Sequence, residues 1–242
     1  MLAATTLDAL SVVDPSLLKK GPSSIPSCLR LPHTPTASFW SPDNSFLYLS
    51  SAHAIHKYDP LSNTLKDIYA SEHSETIRHL ITKDRSTVIF DTGDKIHVLE
   101  NESGASNPKV SQIFEAQKAS VTSLSLSNDN TLLASTSVNA IHVHNLASGS
   151  HSLLRGLTLG GQDISTSVFH PHHRTRLLVA AGKQIMIYDT TRPSGPMKII
   201  ALTEAASGTV TAIACSPFSK TLVAAATSGG FVGLIDLEKE KA

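Results

Sequence analysis

Twelve histidines are the side chains in this sequence most able to do chemistry. The densest group, His170-Pro171-His172-His173-Arg174, carries ring nitrogens that a divalent metal would take. A metal site also wants Cys, Asp or Glu partners and supporting hydrogen bonds, and Arg174 would repel a cation. Pro171 stands where Pro42 and Pro217 stand in two similar segments, so a turn is the stronger reading. His142 and His144 fall on one face of a strand, a spacing suited to two ligands. Yet His56, His97 and His142 share one recurring position, and His144 occupies another, which favours structural roles. Gly156-Leu157-Thr158-Leu159-Gly160-Gly161 offers the glycines of a phosphate loop, but no Lys-Ser/Thr follows and no helix pattern starts there. There is no Gly-x-Ser-x-Gly elbow, and neither Cys28 nor Cys215 has a histidine nearby in the pattern. Asn101-Glu102-Ser103 fits a glycosylation sequon, expected to stay unmodified without a secretory signal. No catalytic, cofactor-binding or metal-ligating residue is assigned, no cofactor is expected, and the chain reads as a non-enzyme.

The chain that carries these groups has 242 residues, with twenty Lys+Arg against twenty Asp+Glu and a pI near 7.2. Binding to nucleic acid without sequence preference needs a basic excess to displace counterions, so no nucleic-acid partner is expected. The basic residues are also scattered, without the interleaved aromatics that single strands require. An apolar fraction of 40% is too high for a disordered chain. No run approaches the roughly eighteen apolar residues of a membrane span, so no membrane partner is expected. Met1-Leu2-Ala3-Ala4-Thr5-Thr6-Leu7-Asp8 lacks a basic leader region and is a poor signal peptide. Two cysteines make neither a disulfide framework nor a zinc site. The expectation is a soluble, cytoplasmic domain.

Stacking the short apolar runs that end in an acid or amide exposes a repeat. Leu10 to Asp14, Ile55 to Asp59, Ile96 to Glu100, Ile141 to Asn145, Ile185 to Asp189 and Val232 to Asp236 each place a branched aliphatic four residues before the terminal acid or amide. The terminal positions 14, 59, 100, 145, 189 and 236 are spaced by 45, 41, 45, 44 and 47 residues. A period near 44 is that of a four-stranded propeller blade. A second landmark keeps the beat: Phe39-Trp40-Ser41-Pro42-Asp43-Asn44 recurs as Phe169-His170-Pro171 and Cys215-Ser216-Pro217, with weaker copies at Ile81-Thr82-Lys83-Asp84 and Leu126-Ser127-Asn128-Asp129. Each ends an alternating strand in a turn that Pro, Asp or Asn initiates. Four short strands per repeat leave little room for helices, so the chain reads as all-β.

The strand ending in Asp59, Asn145, Asp189 or Asp236 resembles the Trp-Asp ending of WD-repeat propellers, and Trp40-Ser41-Pro42-Asp43 resembles their first turn. Val13, Tyr58, Leu99, His144, Tyr188 and Ile235 stand in for the tryptophan, and the Gly-His pair of strong WD repeats is missing throughout. Blade stability is therefore expected to rest mostly on apolar packing between sheets. The resemblance implies a single WD40-like β-propeller over 1–242. Third and fourth strands of a first blade span 7–30. Repeats follow at about 31–70, 71–115, 116–155 and 156–202, with a partial last repeat at 203–242. The count is about five and a half four-stranded blades, in an incomplete ring or one with a distorted seam. Ile55, Ile96, Ile141, Ile185 and Val232 are expected to be buried between blades.

The order of segments resembles the WD-repeat family that targets the gamma-tubulin ring complex to centrosomes and spindle poles. That resemblance rests on the early strand at Leu10–Asp14, on Trp40-Ser41-Pro42-Asp43-Asn44, and on Leu133–Ser137 with Ile141–His144. Thr211–Ile213, Thr221–Ala224 and Ile235-Asp236 complete it. It implies a protein-interaction scaffold docking at the centrosome or spindle pole, with spindle-pole or gamma-tubulin-complex components as partners. The short tail Glu238-Lys239-Glu240-Lys241-Ala242 leaves no room for that family's helical region, so docking without independent gamma-tubulin recruitment is expected. The turns carrying His53, Asp94, Asn139 and Lys183, with connectors around Lys118 and Asp163, are expected to line one interaction face. The competing readings are an enzyme with its site at a central channel, which would need paired carboxylates from adjacent blades, and a different WD-repeat adaptor.

Overall fold

A computed structural model of the chain describes residues 2–5, 9–13, 29–71, 76–100, 108–115, 117–154, 157, 160–192, 195–202 and 207–239. The described residues hold twenty-two strands and no helix, the strand content of five and a half four-stranded blades. The architecture is that of WD40-like propeller blades: short antiparallel strands that follow one another in each sheet in chain order. Two compact units divide the chain, at Met1–Ile113 and Phe114–Ala242.

The first unit begins with the three-stranded sheet β1 (Leu2–Thr5), β2 (Ala9–Val13) and β3 (Leu29–Arg30). Two four-stranded sheets follow: β4 (Ala37–Trp40), β5 (Leu47–Ser50), β6 (Ala54–Asp59) and β7 (Thr64–Ala70), then β8 (Leu80–Thr82), β9 (Thr87–Thr92), β10 (Lys95–Glu100) and β11 (Lys109–Phe114). The second unit contains β12 (Ser123–Leu126), β13 (Leu132–Thr136), β14 (Ile141–Asn145) and β15 (His151–Leu153). Next come β16 (Ile164–Phe169), β17 (Arg176–Ala181), β18 (Gln184–Asp189) and β19 (Lys198–Ala201). A three-stranded sheet of β20 (Val210–Cys215), β21 (Leu222–Thr227) and β22 (Val232–Asp236) ends the described chain.

The recurring acid or amide has a local cause. At the end of β6, Asp59 Oδ1 accepts from the Leu61 N–H at 2.9 Å and the Ser62 N–H at 3.4 Å. Asn145 Oδ1 accepts from Ala147 and Ser148 at 3.0 and 3.1 Å, Asp189 Oδ1 from Thr191 at 3.0 Å, and Asp236 Oδ1 from Glu238 at 3.1 Å. The side chain folds the backbone into the next turn, which Asp and Asn do better than other residues. The first turn of the repeat is built the same way. Asp43 Oδ1 takes the Ser41 hydroxyl at 2.6 Å and the Ser45 N–H at 3.1 Å, and Asp129 repeats these bonds with Ser127 and Thr131. Asn44 and Asn130 sit at φ 56° and 57°, the left-handed region that asparagine tolerates. The Ser41 bond, with those from Ser45, lowers the Asp43 carboxyl to about 2.

Apolar faces pack sheet on sheet within each unit. Leu10 of β2 meets Leu47, Leu49 and Tyr58 of the next sheet, and Tyr48 and Ile55 meet Leu80, Val88 and Phe90. In the second unit Ala134, Ile141 and Val143 pack with Leu177, Val179 and Tyr188, and Leu178, Ile185 and Ile187 with Val223, Ala225 and Ile235. Ile55, Ile96, Ile141 and Ile185 are fully buried, as expected. Val232 is not: it is 74% exposed, because it lies on the outer face of the last sheet. Ile235, from the opposite face, takes the buried place in that strand.

The start of the chain also departs from expectation. β2 is not the first strand; β1 pairs with it antiparallel, Leu2 opposite Val13 and Thr5 opposite Leu10. Leu-Ala-Ala-Thr has too little contrast between its two faces to show an alternating period. The first sheet thus holds second, third and fourth strands. Asp14 and the residues that follow it up to Cys28 lie outside the described residues.

Candidate interaction face

The six residues expected to line one face are all exposed: His53, Asp94, Lys118, Asn139, Asp163 and Lys183. His53 and Asp94 lie in the first unit, on the β5–β6 and β9–β10 turns. The other four lie in the second, with Asn139 on the β13–β14 turn, Lys183 on the β17–β18 turn, and Lys118 and Asp163 on the connectors before β12 and β16.

Backbone bonds hold these turns against the entry to the following sheet. The Ile164 N–H donates to the Val138 carbonyl at 2.8 Å, and the Val210 N–H to the Gly182 carbonyl at 2.7 Å. In the first unit the Ile77 N–H donates to the Ala52 carbonyl at 2.8 Å, and the Ser71 N–H to the His53 carbonyl at 2.7 Å. Ile77, Ile164 and Val210 are buried to within 1% of full burial, so each anchor is apolar on its side-chain side. The turn between second and third strands therefore sits beside the connector to the next sheet at three places in the chain. Asn139 is brought beside Asp163 in this way.

Around Lys183 the surface is concave. A cleft of about 670 Å³ is lined by Gly160, Gln162, Lys183, Gln184, Ile199 and Thr209, among others. A second hollow of about 280 Å³ contains Asp163 and shares Gln162 and Thr209 with the first. Gly182 sits at φ +57, with the Gln162 side chain within 2.9 Å of where a Cβ would stand, a conformation that glycine adopts without strain. One cation, one carboxylate and several neutral amides and hydroxyls make this a polar surface.

The histidines do not converge on such a site. His173 N–H donates to the His170 carbonyl at 3.2 Å, and His170 Nε2 lies 2.9 Å from the Lys220 carbonyl, so His170–His173 closes a turn. His56 Nδ1 pairs with Asp67 at 2.6 Å, and His97 Nε2 with the Thr92 hydroxyl at 2.8 Å. Among the described residues no group of three or more His, Cys, Asp or Glu side chains is arranged to hold a metal ion. Burial raises the Cys215 thiol to about 11, which leaves it protonated and unreactive at neutral pH. Cys28 lies outside the described residues.

Two buried polar clusters escaped the sequence reading. Gln117 Nε2 donates to both the carbonyl and the hydroxyl of Ser135 at 2.8 Å, and the same hydroxyl lies 2.8 Å from His144 Nε2. All three side chains are buried, and Phe114 packs against His144 with ring centres 4.6 Å apart and the rings tilted by 50°. Burial, reinforced by His151 and His142, lowers the His144 imidazole to about 3, so it is neutral at physiological pH. Apolar packing is thus not the whole of this sheet's stability: Gln117, Ser135 and His144 add a buried hydrogen-bonded chain. The spacing of Ser135 nine residues before His144 was the available signal, hidden because serine is common here. In the first unit the buried Asp91 carboxylate accepts from the His79 N–H at 2.6 Å, with the His79 Nδ1 at 3.1 Å.

Residues 108–141 match the family model described as "WD domain, G-beta repeat". This is the stretch that carries Phe114, Gln117 and Ser135. The chain is also similar to one in the crystal structure of a mitotic checkpoint complex, with 16% identity and a TM-score of 0.69 over 84% of this chain. It spans 60% of the length of that chain. No curated protein sequence matches it significantly. The repeat, the four-stranded sheets, the match over residues 108–141 and the structural likeness agree on one fold, that of WD40-like propeller blades.

Proposed function

We propose that the chain is a non-enzymatic scaffold that binds another protein through the surface of Asn139, Asp163 and Lys183. WD-repeat propellers generally serve as protein-interaction scaffolds. The observation that carries the reading is structural: exposed polar side chains sit on turns that backbone bonds clamp to the entry of the next sheet. Such residues are presented on a rigid frame, at low ordering cost on binding. The cleft beside them offers apolar contact at Ile199 together with amides and a lysine. Among the described residues, no convergent nucleophile, base and oxyanion donors favour the enzyme reading.

The finer reading places the scaffold in the cytoplasm, docking at the centrosome or spindle pole in gamma-tubulin-dependent microtubule organisation. It is supported by the order of segments, from the strand at Leu10 through Trp40–Asn44 to Ile235-Asp236. The likeness to a chain from a multi-protein assembly suits a scaffold in general. Affinity capture of the tagged chain tests the function, with Asn139→Ala, Asp163→Lys and Lys183→Glu combined in one variant. The variant should fold as the parent does and lose the captured partner; unchanged capture would refute the assigned face. Imaging the same tag through mitosis tests the location. A diffuse signal throughout would end the spindle-pole reading and leave the scaffold reading standing.

A further inference from the structure

The turn that follows the first strand of a sheet is held by a side chain at one recurring position. In three sheets it is a serine whose hydroxyl accepts a backbone N–H further along the turn. Ser41 accepts from Phe46 at 3.0 Å, Ser127 from Leu132 at 2.9 Å, and Ser216 from Phe218 at 3.2 Å and Ser219 at 3.0 Å. In the sheet of β16 to β19 the position is His170, and its ring takes over the bond. Nδ1 accepts from the His172 N–H at 3.1 Å, and Nε2 lies 2.9 Å from the Lys220 carbonyl. A carbonyl only accepts and an N–H only donates, so the ring is the neutral tautomer with its proton on Nε2. His170 is fully buried. A serine hydroxyl keeps its lone pairs through the physiological pH range, whereas an imidazole loses its free lone pair to a proton.

We propose that the β16–β17 turn is an acid-operated switch, closed while His170 Nδ1 bears a lone pair and opened when that atom takes a proton. Protonated, Nδ1 sets an N–H against the N–H of His172, donor against donor, and the bond is lost. The Nε2–H bond to Lys220 survives in both states, so the ring stays in place and the turn around His172 gives way. The groups around the ring favour release. His172 and His173 of the same turn lie with ring centres 5.7 and 4.9 Å away. Arg176 of β17 acts on both His170 and His173, and Lys220 of the β20–β21 turn acts on His173. All of these are cations or become cations in acid. Arg174, also on the turn, is taken by Asp129 of the β12–β13 turn, Nε to Oδ2 at 2.6 Å. Burial holds the His170 imidazole below its usual range; the Lys220 bond opposes this, and His173, Arg176 and His172 add to it. The closed turn thus refuses a proton that the open turn accepts, so closure is complete above about pH 6.5 and weakens as the pH falls below it. The switch lies at the opposite strand ends from the turns of Asn139 and Lys183, and so stands apart from the partner surface assigned there.

Amide exchange followed by NMR on the full chain tests this, read as protection factors so that the intrinsic pH dependence of exchange cancels. Between pH 7 and pH 5 the protection of the His172 N–H should fall about tenfold, while that of the Leu132 N–H, held by the Ser127 hydroxyl, should change less than about twofold. At pH 7 the nitrogen shifts of His170 should be those of the Nε2–H tautomer. His170→Ser supplies the acceptor that Ser216 presents to Phe218, and should hold the His172 N–H equally well at both pH values. Unchanged protection of His172 between pH 7 and pH 5 would overturn the proposal. A fall of the same size in His170→Ser would refute it by placing the titration elsewhere, and an Nδ1–H tautomer at pH 7 would remove the acceptor altogether. Should the serine variant lose its fold, the wild-type tautomer and the contrast between His172 and Leu132 decide, equal losses at the two amides counting against the switch.

Discussion

His144 holds a position where a tryptophan would be expected in a strong repeat, and its chemistry has a measurable consequence. Burial keeps its folded-state pKa at about 3, against 6.5 for the free side chain. Between those values the unfolded chain binds a proton that the native state refuses, so stability is complete above about pH 6.5 and falls as the pH drops towards 3. The slope from one such group approaches about 1.4 kcal/mol per pH unit. Burial also lowers His142, His170 and His173, which adds to the same trend. Denaturant titrations at pH 7 and pH 5 should therefore show a lower midpoint in acid. His144→Trp should flatten the dependence while its indole N–H still reaches Ser135; an identical pH dependence in the variant would remove His144 from the account. Truncation at buried positions gives a second test. Ile141→Ala and Ile185→Ala should each cost about 2–5 kcal/mol, and the exposed Val232→Ala much less. Equal losses at Val232 and Ile185 would mean that the last sheet is covered.

Each element's ends are specified more sharply than its middle. The acid or amide closing the third strand and the Ser-x-Asp-Asn turn closing the first were legible because their side chains bond the local backbone, leaving a sequence mark wherever the turn occurs. Asn130, at φ 57°, should accept glycine with little loss, while valine there should cost about 1–2 kcal/mol by thermal melting. Equal melting temperatures for the two variants would show that the turn opens. Other elements left weaker marks. β1 was missed because two alanines give its faces little contrast, and Val232 was misplaced because its strand alternates as its neighbours do. What decides Val232's exposure is the sheet beyond it, which no local pattern reports. The Gln117–Ser135–His144 cluster was illegible for the same reason: its partners are 18 and 9 residues apart in the chain and meet only when the sheet forms. The candidate face was legible only as a set of turns. Position in the repeat located those turns, but only the fold shows that Asp163 and Lys183 border hollows sharing Gln162 and Thr209.

For the molecule as a whole, the sequence reading of 1–242 as one domain predicts a single calorimetric unfolding transition. Two separate transitions would instead place a boundary near Ile113 and Phe114, where the compact units divide. The central claim is that partners meet the turns rather than the outer strands of the sheets. Lysines mark both surfaces: Lys118 and Lys183 lie on the connector and turn, and Lys66, Lys109 and Lys198 on the fourth strands β7, β11 and β19. Amine-reactive cross-linking of the captured complex, read by mass spectrometry, distinguishes them directly. Cross-links from the partner to Lys183 and Lys118 are the predicted result. Cross-links confined to Lys66, Lys109 and Lys198 would contradict it.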